Sequence, residues 1–225
     1  MERYLLLCEI YVKKMKLFVW DFHGVMEKGN KGSVLEISNT VLKQNNYSER
    51  FTMDDIHHLY GQKWWKYFEH LLPYESHERH VELRERCVDL QGSHPEIVAT
   101  YIQPNDYLHE VLEAIAHKHH QILITNTTSR ALGLFLNSIN VSAYFHSGNT
   151  FPVDQESKKD VLIEFLEDKN YDRVVVIDDS PENKDLASIA NCVFYLYAHP
   201  SIAFKPCNIP DDYKIHDLRK VLREL

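Results

Sequence analysis

Short, unbroken apolar runs alternate with helix-forming stretches, and this alternation narrows the folds open to the chain more than any other feature. Lys16-Leu17-Phe18-Val19-Trp20 is the first run and stops at the turn Asp21-Phe22-His23-Gly24. Gln121-Ile122-Leu123-Ile124-Thr125-Asn126, Val174-Val175-Val176-Ile177 and Cys192-Val193-Phe194-Tyr195-Leu196-Tyr197 follow, with Ala143-Tyr144-Phe145 as a shorter one. Apolar runs of this length, bounded by turn residues, fit buried strands. Between them, Leu108, Val111, Leu112 and Ile115 recur at i, i+3, i+4 and i+7, which predicts a helix over 104–119. Further helices are expected over 128–138, 158–168 and 181–190, with a tail helix from about 214. Repeated strand–helix alternation predicts an α/β fold. Its core is a doubly wound, Rossmann-like parallel sheet with right-handed crossovers and helices on both faces.

One long stretch breaks the pattern. From about 33 to 103 no strand alternation occurs, and Val34, Leu35, Ile37, Val41 and Leu42 share a helical face. Thr52-Met53-Asp54-Asp55 reads as a helix N-cap with acidic first-turn residues. Trp64, Trp65, Phe68, Leu71 and Leu72 form another amphipathic stretch, ending near Pro73. This block is a helical insertion after the first strand. Its aromatic residues, Tyr67 included, suit packing within the insertion better than a specificity patch.

The chain has only 7 glycines in 225 residues, and neither GxGxxG nor GxxxxGK[ST] occurs, so a glycine-rich phosphate cradle is excluded. A net charge of −8 disfavours a protein that tracks nucleic-acid phosphates. No apolar stretch is long enough to span a membrane. Cys8, Cys87, Cys192 and Cys207 show no CxxC spacing, which fits reduced thiols and a cytoplasmic protein. The chain opens on Met1, and Met15 stands directly before the first strand, so residues 1–14 are a possible N-terminal extension of the reading frame. The histidine groups His77/His80 and His117/His119/His120 lack the Cys or carboxylate spacing of a zinc site.

Open parallel sheets bind ligands beyond the carboxyl ends of their strands. Those ends carry Asp21 and His23, then Thr125 and Asn126, then Asp178 and Asp179. Lys158 opens a helix that can reach the same edge. Clustered carboxylates repel unless they shift their pKa values or bind a cation. Carboxylate and carbonyl oxygens suit Mg²⁺, which keeps waters for a phosphate substrate. A carboxylate beside such an ion can act as a nucleophile and form an aspartyl-phosphate, while hydroxyl, amide and lysine hold the phosphoryl oxygens.

Four segments in this order resemble the motifs of the haloacid dehalogenase-like (HAD) superfamily, most of whose members are Mg²⁺-dependent phosphohydrolases. Asp21-Phe22-His23-Gly24-Val25 resembles the first motif, Thr125 the second, Lys158 the third (Lys159 in the other register), and Asp178-Asp179-Ser180-Pro181-Glu182-Asn183 the fourth. The resemblance implies a core over 1–28 and 104–225 with a helical cap domain over 29–103. It implies Asp21 as nucleophile, and Thr125, Asn126 and Lys158 on the phosphoryl group. Mg²⁺ would be held by Asp21, the His23 carbonyl, Asp178 and Asp179. The substrate class implied is a small phosphorylated metabolite, with neither nucleic acid nor membrane as partner. One position departs from the family: its usual second Asp is His23 here. Histidine can protonate a leaving group and activate water near neutral pH, which makes His23 the acid/base candidate. Two other functions remain open on these residues: Asp attack on carbon, as in the dehalogenases, and a catalytically weak phospho-ligand binding protein.

Overall fold

The computed structural model describes residues 15–153, 157–204 and 206–225; residues 1–14, where the possible extension falls, lie outside these. Strand β1 (Lys16–Trp20) is followed by a short strand β2 (Glu27–Lys28) and five helices. These are α1 (Asn30–Gln44), α2 (Met53–Leu59), α3 (Trp64–Leu71), α4 (His77–Ser93) and α5 (Pro95–Tyr101). Strand β3 (Gln103–Pro104) pairs antiparallel with β2, so the chain enters and leaves the helical block through a two-stranded ribbon. Then come α6 (Leu108–Ala116), β4 (His120–Thr125), α7 (Ser129–Ser138), β5 (Thr150–Pro152), α8 (Lys158–Leu166) and β6 (Arg173–Asp178). A 3₁₀ helix (Pro181–Ser188), β7 (Cys192–Tyr197), β8 (Lys214–Ile215) and a closing 3₁₀ helix (Leu218–Glu224) complete the chain.

Six strands form one parallel sheet in the order β5-β4-β1-β6-β7-β8. The chain winds outward from β1 through β4 to β5, then returns to the other side of β1 for β6, β7 and β8. That reversal beside β1 is the topological switch point at which doubly wound sheets open a ligand crevice.

The apolar runs lack polar alternation because both faces of the sheet are covered. Phe18, Trp20, Leu123, Val175, Ile177 and Tyr195 face the layer that includes α6, α7 and the helical block. Leu17, Val19, Ile122, Ile124, Val174, Val176 and Phe194 face the opposite layer with α8. Trp20, fully buried, donates its indole N–H to Gln121 Oε1 at 3.0 Å, so burial leaves no unpaired donor there. In the helical block, Thr52 and Asp55 cap α2 reciprocally. Tyr67 and Phe68 are buried, Trp64 bonds Ser38 Oγ at 2.9 Å, and Trp65 meets His77 edge-on, so this aromatic group packs within the block.

Four segments differ from the sequence reading. The helix expected from residue 104 starts at Leu108, because Gln103 and Pro104 join the ribbon, where a two-stranded edge tolerates proline. Ala143-Tyr144-Phe145 is not a strand; Tyr144 N–H bonds back to Val141 O in a turn, and the edge strand is Thr150–Pro152. The segment after Pro181 is a 3₁₀ helix ending at Ser188. In the tail, Lys214 and Ile215 extend the sheet as β8, and a 3₁₀ helix begins only at Leu218, with Asp217 as its cap. No helix among the described residues is long and apolar enough to cross a membrane.

Candidate active site

The parallel register sets the site. Trp20 pairs with Leu123 of β4 on one side and with Ile177 of β6 on the other. One residue beyond Trp20 and Ile177 come Asp21 and Asp178, and two beyond Leu123 comes Thr125, so the three stand at the ends of adjacent strands at one edge. Asp21 N–H continues the ladder by bonding Ile177 O at 2.9 Å.

Ser157 caps α8 by accepting the Asp160 N–H, which puts Lys158 in the first turn facing that edge. The Lys158 ammonium, 7% exposed, lies 2.9 Å from Asp21 Oδ1 and 2.7 Å from Asp178 Oδ2. Lys159 turns away and lies 3.6 Å from Asp185. The structure thus distinguishes the two registers: Lys158 meets the carboxylates and Lys159 does not. Burial opposes the charge on Lys158, but Asp178 and Asp21 outweigh it and hold its pKa above the ordinary lysine range.

Asp21, Asp178 and Asp179 bring one oxygen each to within 4.8 Å of one another. Among the described residues this is the one His, Cys, Asp or Glu group compact enough to hold a metal ion. Burial raises the Asp21 pKa, with Asp178 adding to the rise and Lys158 opposing it. Asp179 is pushed well above the ordinary carboxylate range, first by burial and then by Asp21 and Asp178. The two neighbours are not equivalent. Asp178 Oδ1 accepts from Ser180 N–H at 2.8 Å, Oδ2 accepts from Lys158, and the Asn183 amide reaches both oxygens. Asp179 accepts no side-chain hydrogen bond among the described residues. Its carboxylate stands free beside Gly24.

Gly24 makes that approach possible. Its φ is +82°, and a Cβ there would sit 2.1 Å from Asp179 Oδ2. Gly24→Ala is therefore expected to cost about 1–3 kcal/mol in backbone strain and to displace Asp179. Denaturant unfolding checks the first, and the loss of any Mg²⁺-induced stabilisation checks the second.

Three ionised carboxylates against one ammonium leave two negative charges unbalanced, in an all-oxygen donor set. That chemistry fits a hard divalent cation such as Mg²⁺. In cation-free protein the raised carboxyl pKa values mean that the folded state binds more protons than the unfolded state. The stability they contribute is present below the ordinary carboxylate range and is lost as pH rises through the raised values. Wild type is expected to lose stability relative to Asp179→Asn as pH rises in chelator, and Mg²⁺ to restore it most at the high end. Urea unfolding of both proteins across pH measures the difference.

Thr125 is buried at the end of β4; its hydroxyl accepts from Thr127 N–H at 3.3 Å and lies 3.1 Å from Thr127 Oγ1. Asn126 is exposed, and its side chain makes no hydrogen bond among the described residues. His23 is held 3.0 Å from Glu27 Oε1. Glu27, Tyr60, Asn105 and Thr127 escaped the sequence reading. Asn105 is buried, and its side-chain amide donates to the carbonyls of Gly24, Val25 and Glu27. Tyr60, at the end of α2, brings a phenol from the helical block; burial, then the charges of Glu27 and Asp179, raise its pKa well above the tyrosine range. Several of the histidines outside the site have structural partners. His80 lies 2.9 Å from Leu72 O, His119 accepts from Lys16 N–H and stacks on Phe18, and His120 lies 2.8 Å from the Tyr171 hydroxyl.

No protein-family sequence model matches the chain, and no curated protein matches it by sequence. Solved structures do match over nearly its whole length. A HAD-superfamily hydrolase of subfamily IA from Geobacter sulfurreducens is 16% identical, covers 93% of this chain and 96% of its own, and has a TM-score of 0.67. A predicted phosphoglycolate phosphatase from Haemophilus somnus is 13% identical with coverage of 93% and 97% and a TM-score of 0.74. A family IA HAD hydrolase from Entamoeba histolytica is 16% identical with coverage of 92% and 95% and a TM-score of 0.68. At such identities the likeness is one of architecture, and it establishes that this chain has the fold of the HAD-superfamily hydrolases.

Proposed function

We propose that the protein is a Mg²⁺-dependent phosphohydrolase of small phosphate monoesters, with Asp21 as the nucleophile. The observation that carries this reading is the Lys158 ammonium bridging Asp21 and Asp178 beside Asp179, at the ends of adjacent strands. The fold shared with HAD hydrolases and phosphatases supports it. Asp21, Asp179 and the His23 carbonyl would hold the ion. Asp178, with both oxygens already engaged, would bind directly or through water. When bound, Mg²⁺ supplies charge neutralisation for the phosphoryl oxygens.

The residues divide the remaining work. Lys158 favours the ionised form of Asp21, orients it, and offers positive charge to the transferring phosphoryl group. The Thr125 hydroxyl and the segment through Asn126 hold phosphoryl oxygens at the neighbouring strand end. Asp21 attacks phosphorus as the ester P–O bond breaks, and His23 protonates the departing oxygen. Water then attacks phosphorus, His23 takes its proton, and Asp21 is released. The unit 29–103 acts as a cap over the core of 1–28 and 104–225, with Tyr60 facing the reaction site. Reaction at carbon would leave the Asp178–Asp179 pair without a task. A phosphate-release screen over many monoesters, with Mg²⁺ and with chelator, tests the reading. Release that requires Mg²⁺ supports it, and activity unchanged by thorough chelation contradicts it.

A further inference from the structure

The proposed reaction asks one group to give a proton and later to take one, and His23 fills the position where the motif resembled by Asp21 to Val25 usually has its second Asp. The surroundings of its ring are built. Glu27, 1% exposed, receives a backbone N–H on each oxygen: Gly24 N–H on Oε1 and Asn30 N–H on Oε2, both at 3.2 Å. Oε1 also lies 3.0 Å from His23 Nδ1. An oxygen already accepting from Gly24 leaves the facing ring nitrogen as the donor. Phe22 and Phe135 meet the imidazole edge-on, at 5.1 Å and 4.8 Å with interplanar angles of 88° and 90°. Asn105 ties the carbonyls of Gly24, Val25 and Glu27, so the loop joining the pair is anchored.

We infer that Glu27 is the positioning residue for His23, fixing its neutral imidazole with hydrogen on Nδ1 and leaving Nε2 as the working nitrogen. The consequence for turnover rests on the phosphatase reading; the tautomer does not. In the first half-reaction the ring enters as imidazolium, with hydrogen on both nitrogens, and its Nε2 proton passes to the leaving oxygen as the Asp21–phosphorus bond forms and the ester P–O bond breaks. The ring is left neutral with its hydrogen on Nδ1. In the second half Nε2 takes a proton from the water that attacks phosphorus, and the Asp21–phosphorus bond breaks. One nitrogen serves both transfers while Glu27 holds the other.

The test is long-range proton–nitrogen correlation spectroscopy on ¹⁵N-histidine protein with the ring neutral, His23 being assigned by difference from His23→Gln. Wild type is expected to show the Nδ1–H form. In Glu27→Gln the amide cannot accept from both backbone donors, so the single tautomer is lost. There kcat should fall about 10–100-fold with KM little changed. An Nε2–H form in wild type, or a Glu27→Gln protein that keeps both tautomer and kcat, overturns the inference. If Glu27→Gln does not fold, the wild-type spectrum alone decides. If no phosphate ester is turned over but His23 is Nδ1–H, Glu27 keeps its role and only the phosphatase reading falls.

Discussion

Asp21→Asn is expected to abolish phosphate release, by on the order of 10⁴-fold or more, in a protein that folds as well as wild type. The amide keeps the shape of the carboxylate and can still accept from Lys158, which now lies 2.9 Å from Oδ1. It is no nucleophile, so the covalent step disappears and little else changes. The expectation for stability follows from the charges. Asp21 is one of the neighbours that push Asp179 well above the ordinary carboxylate range. Removing its charge relieves that repulsion, so cation-free Asp21→Asn should be as stable as wild type or more so. Initial rates with an aryl phosphate, beside urea unfolding in chelator, separate the two effects.

Lys158→Met should damage both folding and activity. The ammonium is buried and is the shared partner of Asp21 and Asp178. Leaving buried charge without its partner costs about 3–5 kcal/mol, and the carboxylates would take up protons to reduce that cost. In cation-free protein, urea unfolding should show a loss of that order. Added Mg²⁺ should recover part of it, because the ion can replace the missing charge. Phosphate release should stay near background even with Mg²⁺, since the ion restores neutrality but not the donor aimed at Asp21. Lys159→Met is the internal control. Lys159 is only partly buried and lies 3.6 Å from Asp185, a surface-type pair worth about 0–1 kcal/mol, so near-wild-type stability and rate are expected.

The parts legible in the sequence were those encoded locally. Val174 to Ile177 has no polar residue to spare for a solvent face, so a strand covered on both sides is the economical solution. The alternation of such runs with helices then orders the sheet. Thr52 and Asp55 are three residues apart, and a capping box needs nothing more distant. Asp21, Thr125 and Asp178 could be grouped because a parallel sheet brings all its strand ends to one edge. Lys158 over Lys159 could not be chosen that way, since the choice depends on how the first turn of α8 meets β6. The apolar spacing of the tail suits a helix, while Lys214 and Ile215 find open backbone groups beside Tyr197 and complete the sheet instead.

Glu27 and Asn105 were hidden for a different reason. Glu27 stands four residues after His23 as one carboxylate among many, and its task depends on a loop that turns back on itself. The side chain that anchors the loop, Asn105, is 78 residues from Glu27 along the chain. Tyr60 ends a short helix within the block and belongs to no motif; its place near Glu27 and Asp179 depends on how the block lies over the sheet edge. Asn126 lies just beyond the end of β4 with its side chain exposed, a position that follows directly from the strand and needed no distant contact to be read.

The central claim is that Asp21 carries the phosphoryl group. The most direct measurement is acid quenching of the enzyme during turnover of an aryl phosphate, followed by peptide mapping by mass spectrometry. A phosphoryl group is expected on the peptide holding Asp21, formed with Mg²⁺ and absent both in chelator and in Asp21→Asn. Steady phosphate release with no phosphoryl group on Asp21, or release undiminished in Asp21→Asn, would contradict it.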